Sequence, residues 1–185
     1  MGADIIVAQG GEAGGHGASR GTLSLVPAVA DRVNIPVVAA GGIADGRGLA
    51  ASMMLGASGV LMGSRFYTCQ ESLAMETVKQ LAMSGCGDDC IQSSVYDVLR
   101  DKQWPTPYRL RTLQNAVTGK WHDDLHGLHA NIEQQRAEFA EAVQHGDGSR
   151  LPVIVGEAVD LINDCPSASE LIQRTLGQAG KLLSH

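Results

Sequence analysis

The chain has 185 residues, 44% hydrophobic and 18% charged, with a formal net charge of −6. There is ample apolar material to bury, which excludes disorder for most of the chain, and the lack of any short period excludes collagen-like and coiled-coil architectures. An acidic balance without a basic stripe argues against nucleic-acid binding as the main activity, and no apolar run approaches the roughly 18 residues of a membrane helix.

In chain order, Asp4 to Gln9 is a short apolar run that stops at Gly10-Gly11 and predicts a strand. Residues 21–33 space Leu23, Val26, Val29, Ala30 and Val33 near 3.6 and predict a helix, closed by Pro36. Val37-Val38-Ala39-Ala40 is a second apolar strand, broken by Gly41-Gly42. Asp45 is a suitable cap for a helix through Leu55, which Gly56 ends. Gly59 to Met62 is a third strand, followed by Gly63-Ser64. Residues 71–84 predict a further helix and residues 85–150 read as mainly helical, with turns at residues 85–88, 105–107 and 146–148. A short apolar piece spans Leu151 to Val155. An amphipathic helix closes the chain from about Ser167 to Leu183, with Ser167 and Glu170 placed as a capping box.

Continuous apolar strands alternating with helical patterns predict an α/β fold with a parallel sheet buried on both faces. Fourteen of the 23 glycines fall in residues 1–63, a stretch with only seven charged residues, so composition shifts near Ser64. The expected organisation is 1–84 for the sheet and its helices, 85–150 for a mainly helical subdomain, and 151–185 for a strand or loop with the closing helix. The four cysteines are sparse and follow no signal peptide, which predicts a reducing, cytoplasmic location.

All three predicted strands end in small residues, and in α/β folds ligands bind at that end of the sheet. Glycine lets a backbone approach a ligand closely, with N–H groups able to face an anion. Gly42 with Gly63 and Ser64 therefore form a candidate phosphate site; the alternative is that these glycines only permit tight turns. His16 follows the first strand in Gly10-Gly11-Glu12-Ala13-Gly14-Gly15-His16-Gly17. An imidazole in an open, glycine-lined loop suits proton transfer near neutral pH, although a lone loop histidine can equally be solvated. Glu12 is either a second acid or base or a residue that orients the loop.

The stretches Ala8 to Gly17, Val37 to Gly46, Leu55-Gly56-Ala57 and Met62-Gly63-Ser64-Arg65-Phe66 together closely resemble the nitronate monooxygenase family, formerly called 2-nitropropane dioxygenases. Tyr96 to Arg100, Trp104-Pro105 and Gly156 to Ile162 resemble its C-terminal part less specifically. The resemblance implies an FMN-dependent TIM barrel with a helical subdomain, and the three strands correspond to strands 6, 7 and 8. The expectation is thus the C-terminal portion of a (β/α)8 barrel, with roughly the first five βα units outside this chain. The resemblance makes His16 the catalytic residue that manages the proton on the nitro-bearing carbon. It makes Gly41, Gly42, Gly63 and Ser64 the flavin-phosphate loops and lays Gly14 and Gly15 against the flavin. Its implied partners are a small nitronate or nitroalkane and O2, giving a carbonyl compound and nitrite, with neither nucleic acid nor membrane. Such a portion alone is expected to hold FMN poorly, to turn over little, and to self-associate through its open barrel edge. A flavin-type enoyl-ACP reductase and a non-catalytic associating fragment are the alternatives.

Three further features carry no site. His122 and His126 stand one helical turn apart, but Asp123 replaces the glutamate of a metalloprotease pattern and Gly127 weakens the helix. Cys86 and Cys90 have an x3 spacing without a second pair, so no metal is expected. Arg109, Arg111 and Lys120 make no continuous basic face and read as solvated surface.

Overall fold

A computed structural model describes residues 2–184. Strand β1 (Ile6–Gln9) is followed by a three-residue strand β2 (Gly15–Gly17), helix α1 (Thr22–Ala30), strand β3 (Val37–Ala40), helix α2 (Gly46–Met54), strand β4 (Gly59–Leu61) and a single-turn helix α3 (Ser64–Tyr67). The expected strands pair in parallel in the order β1-β3-β4, with Ala8 beside Ala39 and Ala39 beside Val60. Asp45 caps α2, its carboxylate accepting from the Arg47 and Gly48 N–H groups. Gly56 follows in the left-handed region at φ +93°, where glycine carries no Cβ penalty.

The pleat decides what this sheet buries. Ala8, Val37 and Ala39 join Val26 of α1 with Ile43 and Ala57 in one apolar core. The opposite face carries Val7, which is 49% exposed, and Leu61, which is 50% exposed. Parallel sheets are ordinarily covered on both faces, so this one presents an apolar face to solvent.

The second half holds α4 (Glu76–Met83), β5 (Cys90–Ser93), α5 (Val95–Leu99), β6 (Arg109–Leu113), α6 (Ala116–Trp121), α7 (Leu125–Ala130), α8 (Ile132–His145) and α9 (Ala168–Leu183). Helices are the main regular structure of residues 85–150, but the expectation needs a correction there. Strands β5 and β6 pair antiparallel, and β2 adds to the other side of β6, in the order β2-β6-β5. Along β6, Leu110 and Thr112 are buried while Arg109 is exposed, the period-two pattern of a strand. The apolar piece 151–155 belongs to no ladder. It runs beside β6 through one bond, Leu113 N–H to the Val153 carbonyl, and buries Leu151, Val153 and Val155 with Val78 and Ala82 of α4. A further core joins Val95, Tyr96 and Leu99 of α5 to Leu110, Val117, Trp121 and Leu128.

Helix α9 packs across α2. A Cβ on Gly46 would meet the Thr175 carbonyl at 2.5 Å, so glycine is what permits that approach. The Ser167 hydroxyl caps α9 by accepting from the Glu170 N–H, the Ser167 half of the expected box. Among the described residues no helix is long and apolar enough to cross a membrane, and no three His, Cys, Asp or Glu side chains could jointly hold a metal ion.

Candidate functional site

The loop after β1 is held by side chains from several directions. The Glu12 carboxylate accepts the Thr22 N–H at 2.9 Å and the Thr22 hydroxyl at 2.8 Å. The Thr22 hydroxyl also lies 2.9 Å from the Gly41 carbonyl, so one residue ties this loop to the turn after β3. The Glu12 carbonyl accepts the Glu157 N–H at 2.9 Å. Arg111 donates twice to the Gly11 carbonyl, at 2.9 and 3.1 Å, and pairs with Glu157 at 3.0 Å. Two expectations are thereby settled. Glu12 orients the loop, and Arg111, only 12% exposed, is a half-buried brace and not solvated surface.

Backbone crowding explains the glycines. Gly14 and Gly156 lie back to back: a Cβ on Gly14 would stand 2.6 Å from the Val155 carbonyl carbon, and one on Gly156 would stand 2.2 Å from the Glu12 carbonyl oxygen. Gly41 and Gly42 both adopt positive φ, +97° and +69°. A Cβ on Gly41 would also come within 2.8 Å of the Gly10 carbonyl. Gly63, by contrast, has open space where its Cβ would be.

These loops enclose a cavity of about 280 Å3 at the C-terminal ends of β1, β3 and β4. Gly14, Gly41, Gly42, Gly63 and Ser64 line it, with Gln9, Glu12 and Tyr67 as the main polar side chains. The N–H groups of Gly42, Gly63 and Ser64 find no acceptor among the described residues. The Ser64 hydroxyl accepts the Gly156 N–H at 2.9 Å, which leaves its own proton free to donate. No lysine or arginine lines the cavity, so an anion there would be met by backbone and hydroxyl donors. The Glu12 carboxylate is held by the Thr22 N–H and hydroxyl. Burial pushes the Tyr67 phenol up, against a smaller opposing effect of the Ile154 backbone, so it is a neutral donor at physiological pH. Size and donor set fit the phosphate end of FMN. A larger cavity of about 800 Å3, between α4, residues 113–116 and residues 148–153, gathers none of the expected residues.

Gly15 and His16 do not line the glycine-rich cavity. They sit on β2, paired with Arg111 and Leu110 of β6, so His16 is on a strand and not in an open loop. Its Nε2 lies 2.9 and 3.0 Å from the two carboxylate oxygens of Asp97 on α5. The ring stacks on Trp104, centroids 3.7 Å apart and planes 11° off parallel. Arg100 stands 3.6 Å from the same carboxylate. Gln9, a cavity residue, donates to the His16 carbonyl at 2.7 Å and connects the two places. Asp97 and Trp104 belong to stretches that resemble the family's C-terminal part, but nothing in the sequence ties either to His16. Nothing in the sequence marks Thr22, or ties Gly156 and Arg111 to this loop, because each acts through contacts with residues distant along the chain.

His122 and His126 are separated by the break between α6 and α7 and share no helix. Cys86 and Cys90 are free thiols, and burial pushes Cys90 up to about 11.

Comparison with known proteins bears on this arrangement. The profile of the nitronate monooxygenase family matches residues 1–177. The chain is 37% identical over 193 aligned residues to nitronate monooxygenase npaC of Metarhizium robertsii, covering 98% of this chain and 53% of that one. Among solved structures, FabK from Thermotoga maritima superposes with a TM-score of 0.78 at 30% identity, over 99% of this chain and 56% of FabK. A nitroalkane oxidase from Streptomyces ansochromogenes shares the fold, with a TM-score of 0.79 at 24% identity over 98% of this chain and 53% of its own. The chain spans about half the length of the curated relatives it matches.

Proposed function

This chain belongs to the nitronate monooxygenase family of oxidoreductases, and from that premise we propose that it supplies the phosphate loops and the proton-managing histidine of an FMN-dependent enzyme. The proposed reaction oxidises a small nitronate or nitroalkane with O2 to a carbonyl compound and nitrite. The observation that carries this reading is the convergence of Gly14, Gly41, Gly42, Gly63 and Ser64 on one cavity at three strand ends.

In this reading β1, β3 and β4 are strands 6, 7 and 8 of a (β/α)8 barrel, and the exposed sheet face bearing Val7 and Leu61 is a barrel interior. The mainly helical residues 85–150 form the subdomain that brings Asp97 and Trp104 to His16. Gly42, Gly63 and Ser64 hold the FMN phosphate through N–H groups and the Ser64 hydroxyl, while Gly14 keeps the wall flat. FMN held there would supply the redox chemistry between the substrate and O2. Glu12 and Thr22 keep the Gly41 turn in place, and Arg111 holds the Gly11 carbonyl of the same loop. His16 takes the proton from the carbon that bears the nitro group when the substrate arrives as a nitroalkane.

The test is nitrite release in the presence of FMN and O2. The chain is expected to release nitrite from a nitroalkane only slowly, and His16→Ala to abolish that release. Rapid bleaching of the flavin by NADH or NADPH, with no nitrite formed, would favour the enoyl-ACP reductase instead.

A further inference from the structure

We propose that Asp97 is a positioning residue for His16: it fixes the imidazole as the Nε2–H tautomer and leaves Nδ1 as the nitrogen that takes the substrate proton. The proposal rests on the reading of His16 as the base. It starts from valence. A carboxylate is acceptor-only, and both Asp97 oxygens lie within 3.0 Å of Nε2, so that nitrogen carries the hydrogen. The neutral ring then has its lone pair on Nδ1, which makes no hydrogen bond among the described residues.

The rest of the surroundings restrains the ring. Asp97 is 6% exposed and sits in the first turn of α5, where Val95, Tyr96 and Leu99 anchor the helix in the core. Trp104 covers one face of the imidazole. The strand that carries His16 is pinned by β6 on one side and by the Gln9 amide on its carbonyl. The edge at Nε2 is taken, one face is taken, and the Nδ1 edge remains.

The proton step balances. The carbon–hydrogen bond of the nitroalkane breaks, its electron pair stays on the substrate as the nitronate, and the proton goes to Nδ1. The imidazolium so formed has Asp97 against its Nε2–H, where the negative charge is already in place. The proton then leaves to solvent from Nδ1. A carboxylate that orients an imidazole in this way acts through the ring and never touches substrate.

The tautomer can be read directly by long-range proton–nitrogen NMR on the histidine-labelled chain, recorded over a pH series. His16→Gln assigns the signal. Wild type is expected to show the Nε2–H form, and Asp97→Asn a mixture of tautomers or the Nδ1–H form. In the same pair, exchange of the nitroalkane α-hydrogen with deuterated solvent is expected to fall about 100-fold in kcat with KM changed by less than about 3-fold. Asp97→Glu should restore part of it. FMN affinity should stay within about 2-fold, because Asp97 does not line the phosphate cavity. A wild-type Nδ1–H signal at His16 overturns the proposal, even where His16→Gln is inactive and the base reading survives. Full exchange by His16→Gln overturns the base reading and the role of Nδ1 with it.

Discussion

Gly41 and Gly63 line the same cavity, yet a methyl group should have opposite consequences at the two positions. Gly41 stands at φ +97°, beyond the left-handed well that a Cβ tolerates at about 1–2 kcal/mol. Its added carbon would come within 2.8 Å of the Gly10 carbonyl and 3.1 Å of the Thr22 hydroxyl. The first is backbone held by Arg20 and Ala40 through neighbouring bonds, so it cannot retreat cheaply. Overpacking of this kind adds about 1–3 kcal/mol. Gly41→Ala is therefore expected to lose about 2–5 kcal/mol, or roughly 4–20 °C in Tm for a domain of this size. Gly63 has φ −91° and open space around it. Gly63→Ala should be neutral or gain about 0.4–1 kcal/mol, through the reduced freedom of the unfolded chain. Its methyl would nevertheless stand on the cavity wall and weaken FMN binding. Thermal unfolding followed by circular dichroism, with flavin binding measured on the same samples, separates the two effects. Equal destabilisation by both substitutions, or an unharmed Gly41→Ala, would refute the reasoning.

Ser64→Ala removes the acceptor of the Gly156 N–H and is expected to cost about 1–3 kcal/mol while weakening FMN binding; Ser64→Thr should keep both, as urea denaturation and a flavin titration would show. Partial burial pushes the Asp164 carboxyl up, but the hydrogen bond from Arg174 and the charges of Arg65 and Arg174 outweigh it and hold it below the ordinary carboxylate range. Its folded value lies below its unfolded one, so the pairing stabilises above the ordinary carboxylate range and is lost as pH falls through the depressed value. Asp164→Asn should lower stability at neutral pH by about 1–2 kcal/mol, less than a fully buried pair because Asp164 is 38% exposed. Tm measured against pH should show the two proteins converging in acid. Cys90, pushed up to about 11 by burial, should alkylate slowly with iodoacetamide at about pH 8 and much faster as pH approaches that value, followed by mass spectrometry.

What the sequence makes legible here is local. Unbroken apolar runs ending in glycine mark β1, β3 and β4, and Asp45 and Gly56 bracket α2, because strand burial and helix capping depend on neighbouring residues. Strand ends that stop at glycine also bring Gly42, Gly63 and Ser64 to one cavity, which Gly14 and Gly41, named through the family resemblance, line as well. The antiparallel sheet is hidden for the opposite reason. Gly15-His16-Gly17 has no β propensity of its own and becomes a strand only because β6, far along the chain, supplies its partner. Arg111 reads as a surface charge in a helical stretch until that sheet is assembled, and only then do it and Asp97 meet Gly11 and His16. Glu12 reads from the sequence as an acid or base, a brace or a solvated residue, with the last two ahead, and the Thr22 bonds decide for the brace.

The central claim is that the loops at Gly42, Gly63 and Ser64 recognise a phosphate. FMN and riboflavin differ only in that group, so their affinities for the purified chain isolate it. Quenching of flavin fluorescence on titration is the measurement. The account predicts that FMN binds at least about 10-fold more tightly than riboflavin, a difference of about 1.4 kcal/mol, and that Ser64→Ala erodes this preference. Equal affinity for the two flavins, or a preference untouched by Ser64→Ala, would contradict it.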